Sequence, residues 1–72
     1  MSVYDLKAGE SAEIININIT GGASARLKSL GIIAGKRVTV LAFSLFKSSV
    51  LIGCGAVRLG IRKSLAQLIE VG

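Results

Sequence analysis

Arg58, Gly60 and Arg62 occupy alternate positions of AVRLGIR (56–62). In an extended strand, residues two apart share a face. The pattern therefore sets two guanidiniums on either side of a stretch of bare backbone. Guanidiniums grip carboxylates and phosphates in a bidentate fork, and a glycine between them lets another chain come close. A solvated strand face fits the same residues, and the sequence leaves both readings open. A second cationic group, Arg26, Lys28, Lys36 and Arg37, lies within RLKSLGIIAGKRV (26–38). Leu45 and Phe46 form a third candidate, near a hairpin tip. There they would touch protein or membrane, unless the strand runs longer and both belong partly to the core.

Other chemistry finds little support. The chain has no histidine, so no ordinary Ser-His or Cys-His nucleophile pair can form. Its only acids are Asp5, Glu10, Glu13 and Glu70, and no motif pairs them for acid–base work. The single cysteine, Cys54, falls on the apolar face of a predicted strand and reads as a small hydrophobe rather than a reactive thiol. One cysteine and four dispersed acids make a poor ligand set for a transition metal. Gly21-Gly22 before a helix could offer amides to a phosphate, but a plain strand-to-helix turn explains them better. No enzyme activity, metal or cofactor is expected.

The elements that must position these residues are bounded by composition. The chain of 72 residues is enough for one domain, 1–72, with a margin of roughly 3–5 kcal/mol unless oligomerisation adds to it. Hydrophobic residues make up 51% and mean hydropathy is +0.69, high for a small domain, which suggests a partner, a membrane neighbour or self-association. The longest mostly apolar run, VTVLAFSLF (38–46), falls far short of the ~20 residues of a spanning helix, and no signal peptide is evident. These features predict a cytoplasmic protein. Net charge is +5, and between Glu13 and Glu70 every formal charge is positive. A cation-only middle implies an acidic partner, nucleic acid or an anionic surface; it also keeps an apolar domain soluble.

The periodicity predicts five short strands and one short helix. Residues 2–10 lead in and turn at Ala8-Gly9. In SAEIININIT (11–20), Ile15, Ile17 and Ile19 alternate with asparagines as a half-buried strand. After Gly21-Gly22, Leu27 and Leu30 lie three apart on one helical face. Gly31 then fits the position after the helix end where φ is positive, with Ile32 packing back. Ala34-Gly35 reads as a type II-like turn into a second strand, 36–44, with Val38, Val40 and Ala42 on one face and Thr39, Leu41 and Phe43 on the other. SVLIGCG (49–55) follows with Val50, Ile52 and Cys54 on one side. AVRLGIR then carries Val57, Leu59 and Ile61 inward. KSLAQ makes a turn or one helical turn, and LIEV (68–71) a last strand. A small closed barrel hides sheet edges economically, with the helix plugging its open side.

Three segments in order, DLKAGE (5–10), RLKSLGIIAGKRV (26–38) and LGIRKSLAQLIEV (59–71), resemble the FeoA family of bacterial ferrous iron uptake. Ala34 stands where that family often has proline, and Ile61-Arg62 where it typically has Leu-Arg. The resemblance implies an SH3-like five-stranded barrel with one short helix inserted after the first long strand. It also implies a role beside FeoB, the membrane ferrous iron transporter with a cytoplasmic GTPase domain, at the inner face of the cell membrane. A similar domain closes metal-dependent repressors of the DtxR type; this chain would be the accessory module alone.

The leading expectation is therefore a protein-binding module that regulates or assembles such a transporter. Arg26, Arg37, Arg58 and Arg62 would meet acidic surface, and Leu45 and Phe46 would supply desolvated contact. Gly31 and Gly35 would be structural. The alternative is a small nucleic-acid-binding barrel, against which stands the scatter of Tyr4, Phe43 and Phe46, too few for a stacking platform.

Overall fold

A computed structural model describes all residues, Met1–Gly72. The chain opens with a 3-10 turn at Val3–Asp5 and continues through β1 (Ser11–Ile17), α1 (Gly22–Ser29), β2 (Arg37–Phe43), β3 (Ser49–Cys54), β4 (Val57–Arg62), α2 (Lys63–Ala66) and β5 (Ile69–Val71). All strand pairings are antiparallel, in the order β4-β3-β2-β1-β5. The fold is mainly β, as the alternation predicts.

β1 serves two neighbours with a short overlap, Glu13 exchanging backbone bonds with Gly72 beyond β5 while it lies opposite Arg37 of β2. Ser11, Ala12 and Glu13 pair with Thr39, Val38 and Arg37 of β2. From Ile14 onward the strand pairs with β5, Ile14 opposite Val71 and Ile17 opposite Ile69. One strand thus bends the sheet around a single core of sixteen buried residues, all hydrophobic, from Val3 and Leu6 through Val71. The burial of Ile14, Ile32, Ile52 and Ile69 is complete or nearly so; each such side chain stabilises the fold by about 1.5–3 kcal/mol.

Two bulges correct the predicted faces. In β1, Ile15 is an extra residue between the Ile14–Val71 and Asn16–Glu70 pairs, and it is 50% exposed. The inward set is Ala12 and Ile14 before the bulge, with Ile17 and Ile19 turned toward the core after it. In β2, Leu41 is the extra residue between Val40 and Ala42. Ala42 therefore faces out, and Phe43 packs against the core opposite Val50. An inserted residue reverses which parity faces inward.

The barrel is not closed by hydrogen bonds, which corrects the predicted architecture. β4 and β5 form the two ends of the sheet and do not pair. α2 joins them and packs on β4, β3 and the N-terminal turn, with Ala66 wholly buried. β5 has only three residues, and its free side is already occupied by the N-terminus: the Val71 N–H donates to the Met1 carbonyl at 2.8 Å, and Ser2 bridges to Glu70. The plug expected of α1 is thus shared with α2; α1 itself buries only Leu27 fully, with Ala23 and Leu30 half-buried against the core.

The end of α1 follows its sequence closely. The Gly31 N–H donates to the Lys28 carbonyl at 3.0 Å and the Ile32 N–H to the Leu27 carbonyl at 2.9 Å. This pair of bonds is the Schellman motif, with Gly31 at φ 82° and buried Ile32 and Leu27 supplying the apolar contact. Gly35, at φ 92°, completes a turn in which the Lys36 N–H donates to the Ile33 carbonyl at 3.2 Å.

Candidate partner-binding surface

The connection between β2 and β3 presents Leu45 at 81% exposure and Phe46 at 91%. Neither side chain has a core role. Their backbone is well braced nonetheless. The Ser44 N–H donates to the Ser49 carbonyl at 3.0 Å, the Lys47 N–H to the Ser44 carbonyl at 2.8 Å, and the Ser49 N–H to Ser44 Oγ at 2.9 Å. Two non-glycine residues in sequence lie in the left-handed region, Phe46 at φ 66° and Lys47 at φ 57°. Each such residue costs about 1–3 kcal/mol and persists only where its surroundings over-determine it. This loop holds an apolar pair out in solvent at a conformational cost.

A cationic and aromatic base supports the tip. Tyr4 and Phe43 meet edge to face with ring centroids 5.8 Å apart. Tyr4 Oη donates to the Lys47 carbonyl at 2.8 Å. Lys47 Nζ sits 4.5 Å from the Phe43 centroid and Lys63 Nζ 5.3 Å from that of Tyr4, within the range of cation–π attraction. Sequence reasoning missed Tyr4, Lys47 and Lys63. Tyr4 lies far along the chain from its partner Lys47, and no local pattern signals such a contact.

Arg58 and Arg62 stand exposed on β4 on either side of Gly60. Gly60 opposes Leu51 and Arg58 opposes Gly53. Beside this strand lies a groove of about 410 Å³ between α1, α2 and β4. Ala23, Leu27 and Leu65 line it together with Leu59 and Ile61, and it includes Arg26 and Arg62. The structure thus brings Arg26 and Arg62 to one groove, a proximity the sequence did not reveal. Arg37 is elsewhere: it begins β2, opposite Glu13, on the far side of β3. No arginine side chain takes part in a hydrogen bond within the chain, and all four guanidiniums are exposed.

The remaining candidates are structural. Cys54 is buried, with Sγ 3.9 Å from the Gly31 carbonyl. No three His, Cys, Asp or Glu residues gather as a metal site. Asp5 and Glu10 fold back on the backbone: the Ser2 N–H donates to Asp5 Oδ2 at 2.8 Å and the Lys7 N–H to Glu10 Oε1 at 2.6 Å. The Ser2 backbone bond, then the Ser2 hydroxyl, holds the Asp5 carboxyl below its ordinary value. No helix is long and apolar enough to cross a membrane.

Comparison with known proteins agrees with this architecture. A family model described as FeoA domain matches residues 1–72. The solution structure of FeoA from Chlorobium tepidum is 30% identical, covered over 99% of this chain and 68% of its own length, with a TM-score of 0.92. A zinc-complexed FeoA from Stenotrophomonas maltophilia, a prokaryotic SH3 domain protein, is 24% identical over 100% of this chain and 89% of its own, with a TM-score of 0.86. A manganese-dependent transcriptional repressor shares the fold over 39% of its length, at 21% identity and a TM-score of 0.84. No curated protein sequence matches the chain. The bent sheet is SH3-like.

Proposed function

The chain belongs to the FeoA domain family, and from that premise we propose that it is a non-enzymatic protein-binding module acting on a FeoB-type ferrous iron transporter. It works in the cytoplasm at the inner face of the membrane, docking on the transporter's GTPase region and regulating or assembling it. The Stenotrophomonas maltophilia protein, similar in fold, has been put forward as a ferrous iron transport activating factor. The observation that carries the reading here is the Leu45–Phe46 tip. An apolar pair held almost fully in solvent by a strained, hydrogen-bonded loop is arranged to be desolvated by a partner, the role of an interface anchor. Around it the surface is cationic, which speeds encounter with an acidic partner.

The test is binding of the purified protein to the full-length transporter in detergent and to its isolated GTPase domain. The L45A/F46A variant keeps its fold, because neither side chain is buried, and its affinity falls by about tenfold or more. Absence of binding to both targets, with normal ferrous iron uptake in a strain lacking the protein, overturns the reading. Nucleic acid is the weaker alternative. Tyr4 and Phe43 pack against each other beneath lysines, which leaves Phe46 alone free to stack on a base.

A further inference from the structure

We infer that the free edge of β4 accepts an extended acidic segment of a protein partner as a sixth strand, seated between β4 and the α1–α2 groove. The inference deepens the partner-binding reading and rests on it, but it concerns a different surface from the Leu45–Phe46 tip.

The hydrogen-bond alternation shows which backbone groups are free. In an antiparallel pair, alternate residues exchange bonds with the neighbour and the others point away. Cys54 and Val57 close a two-residue turn with Gly55 at φ 60°, a geometry whose closing pair is hydrogen-bonded. At the other end, the Lys63 N–H donates to the Ser48 carbonyl at 3.0 Å. Both ends assign Val57, Leu59 and Ile61 to β3. The N–H and C=O groups of Arg58, Gly60 and Arg62 therefore face outward, and no other strand pairs with β4.

Side chains set the chemistry of the occupant. A strand laid on this edge would place alternate side chains on opposite faces. On the outer face they meet Arg58 and Arg62; on the inner face they meet Leu59, Ile61 and the groove residues Leu27 and Leu65. Gly60 leaves room opposite the middle of the segment, since a Cβ there would touch nothing within 4 Å. Arg26 adds a third guanidinium from α1, and no acid lines the groove. The fitting segment alternates acidic and apolar residues. A second copy of this chain is disfavoured, because antiparallel β4–β4 pairing about Gly60 sets Arg58 of one copy against Arg62 of the other, twice.

The experiment is an NMR titration of the full chain with a synthetic heptapeptide of valines alternating with aspartate and glutamate. On binding, amide exchange slows by about tenfold or more at Arg58, Gly60 and Arg62, and stays unchanged at Val57, Leu59 and Ile61, which are already bonded. A lysine-for-acid counterpart peptide binds at least about tenfold more weakly, and the R58E/R62E variant reverses that preference. Gly60→Pro removes the central donor and abolishes the protection; the charge reversal tests the same edge without altering its backbone. Lack of protection at the three amides overturns the inference, as does equal binding of both peptides, a peptide footprint at Leu45–Phe46, or β4 protection that appears with protein concentration alone. A chain that ignores the acidic peptide yet binds the transporter through Leu45 and Phe46 overturns this inference and leaves the proposed function standing.

Discussion

The two edges of the sheet are treated in opposite ways. The β5 edge is covered by the chain's own first residues: Met1 accepts a hydrogen bond from Val71, Ser2 bridges to Glu70, and Val3 is wholly buried beside them. The Ser2–Asp5 bonds hold that cover in place. The β4 edge has no cover and carries a glycine at its centre between two arginines. Bare edges invite unwanted pairing, and proteins blunt them with charge or with covering segments. This chain uses a covering segment on one side and charge on the other. Charge repels other copies while leaving the edge open to a strand of opposite sign, so the difference separates a structural edge from a receptive one.

The glycines of the outer face support that contrast. A Cβ at Gly53 would meet Leu41 Cδ1 at 3.4 Å, whereas at Gly60 it would meet nothing within 4 Å. A 3.4 Å approach is ordinary van der Waals contact, so crowding requires glycine at neither position; the two differ in that Gly53 lies on an interior strand and Gly60 on the free edge. Glycine in a strand interior is destabilising by roughly 0.5–1 kcal/mol, and at Gly60 no contact inside the chain explains it.

The strongest test of the comparison removes the cover from β5. Deleting residues 1–5 exposes that edge and forfeits the burial of Val3, about 1.5–3 kcal/mol, from a margin of roughly 3–5 kcal/mol. Cooperative thermal unfolding followed by circular dichroism should be lost or shifted down severely. A near-normal melting curve would mean the N-terminus does not stabilise the edge it covers. A smaller effect of opposite sign is expected on β4. Gly60→Val should raise the melting temperature by roughly 2–8 °C while weakening capture of the acidic heptapeptide. A variant that is less stable, or equally stable and unimpaired in binding, would remove the functional account of Gly60.

The smallest effect is one of pH. The Asp5 carboxyl titrates below its ordinary value in the folded chain, so its contribution is fully present above the unfolded pKa of about 4. It fades as pH falls through that value toward the folded one. Exchange of the Val71 amide, which is tied to Met1, should therefore accelerate relative to the β3–β4 amides as pH drops through that window. The Asp5→Asn variant should lose this dependence.

Much of this molecule was legible in its residues. The strand count, the α1 stop at Gly31, the turn at Gly35 and the alternation of β4 all follow from local spacing and backbone sterics. The exposure of Leu45 and Phe46 was one of two open readings, and burial decided it. The bulges at Ile15 and Leu41 were not legible. Ile-Ile-Asn-Ile and Val-Leu-Ala-Phe carry no mark of an extra residue, because a bulge is defined by the opposite strand. The placing of Arg26 and Arg62 on one groove, and the contact of Tyr4 with Lys47, likewise depend on where distant elements pack.

The sequence by itself determined the local states: which segments extend, which one coils, where a positive φ is required, and that the middle of the chain is cationic. These are set by neighbours within a few residues, through sterics, periodicity and charge. Only the tertiary structure decided which strands became edges, that one edge is covered by the N-terminus, and that the other faces a groove rimmed by arginines. Edge status is a property of strand order, and strand order is fixed by burying sixteen hydrophobic side chains together, a condition no single stretch of the chain contains.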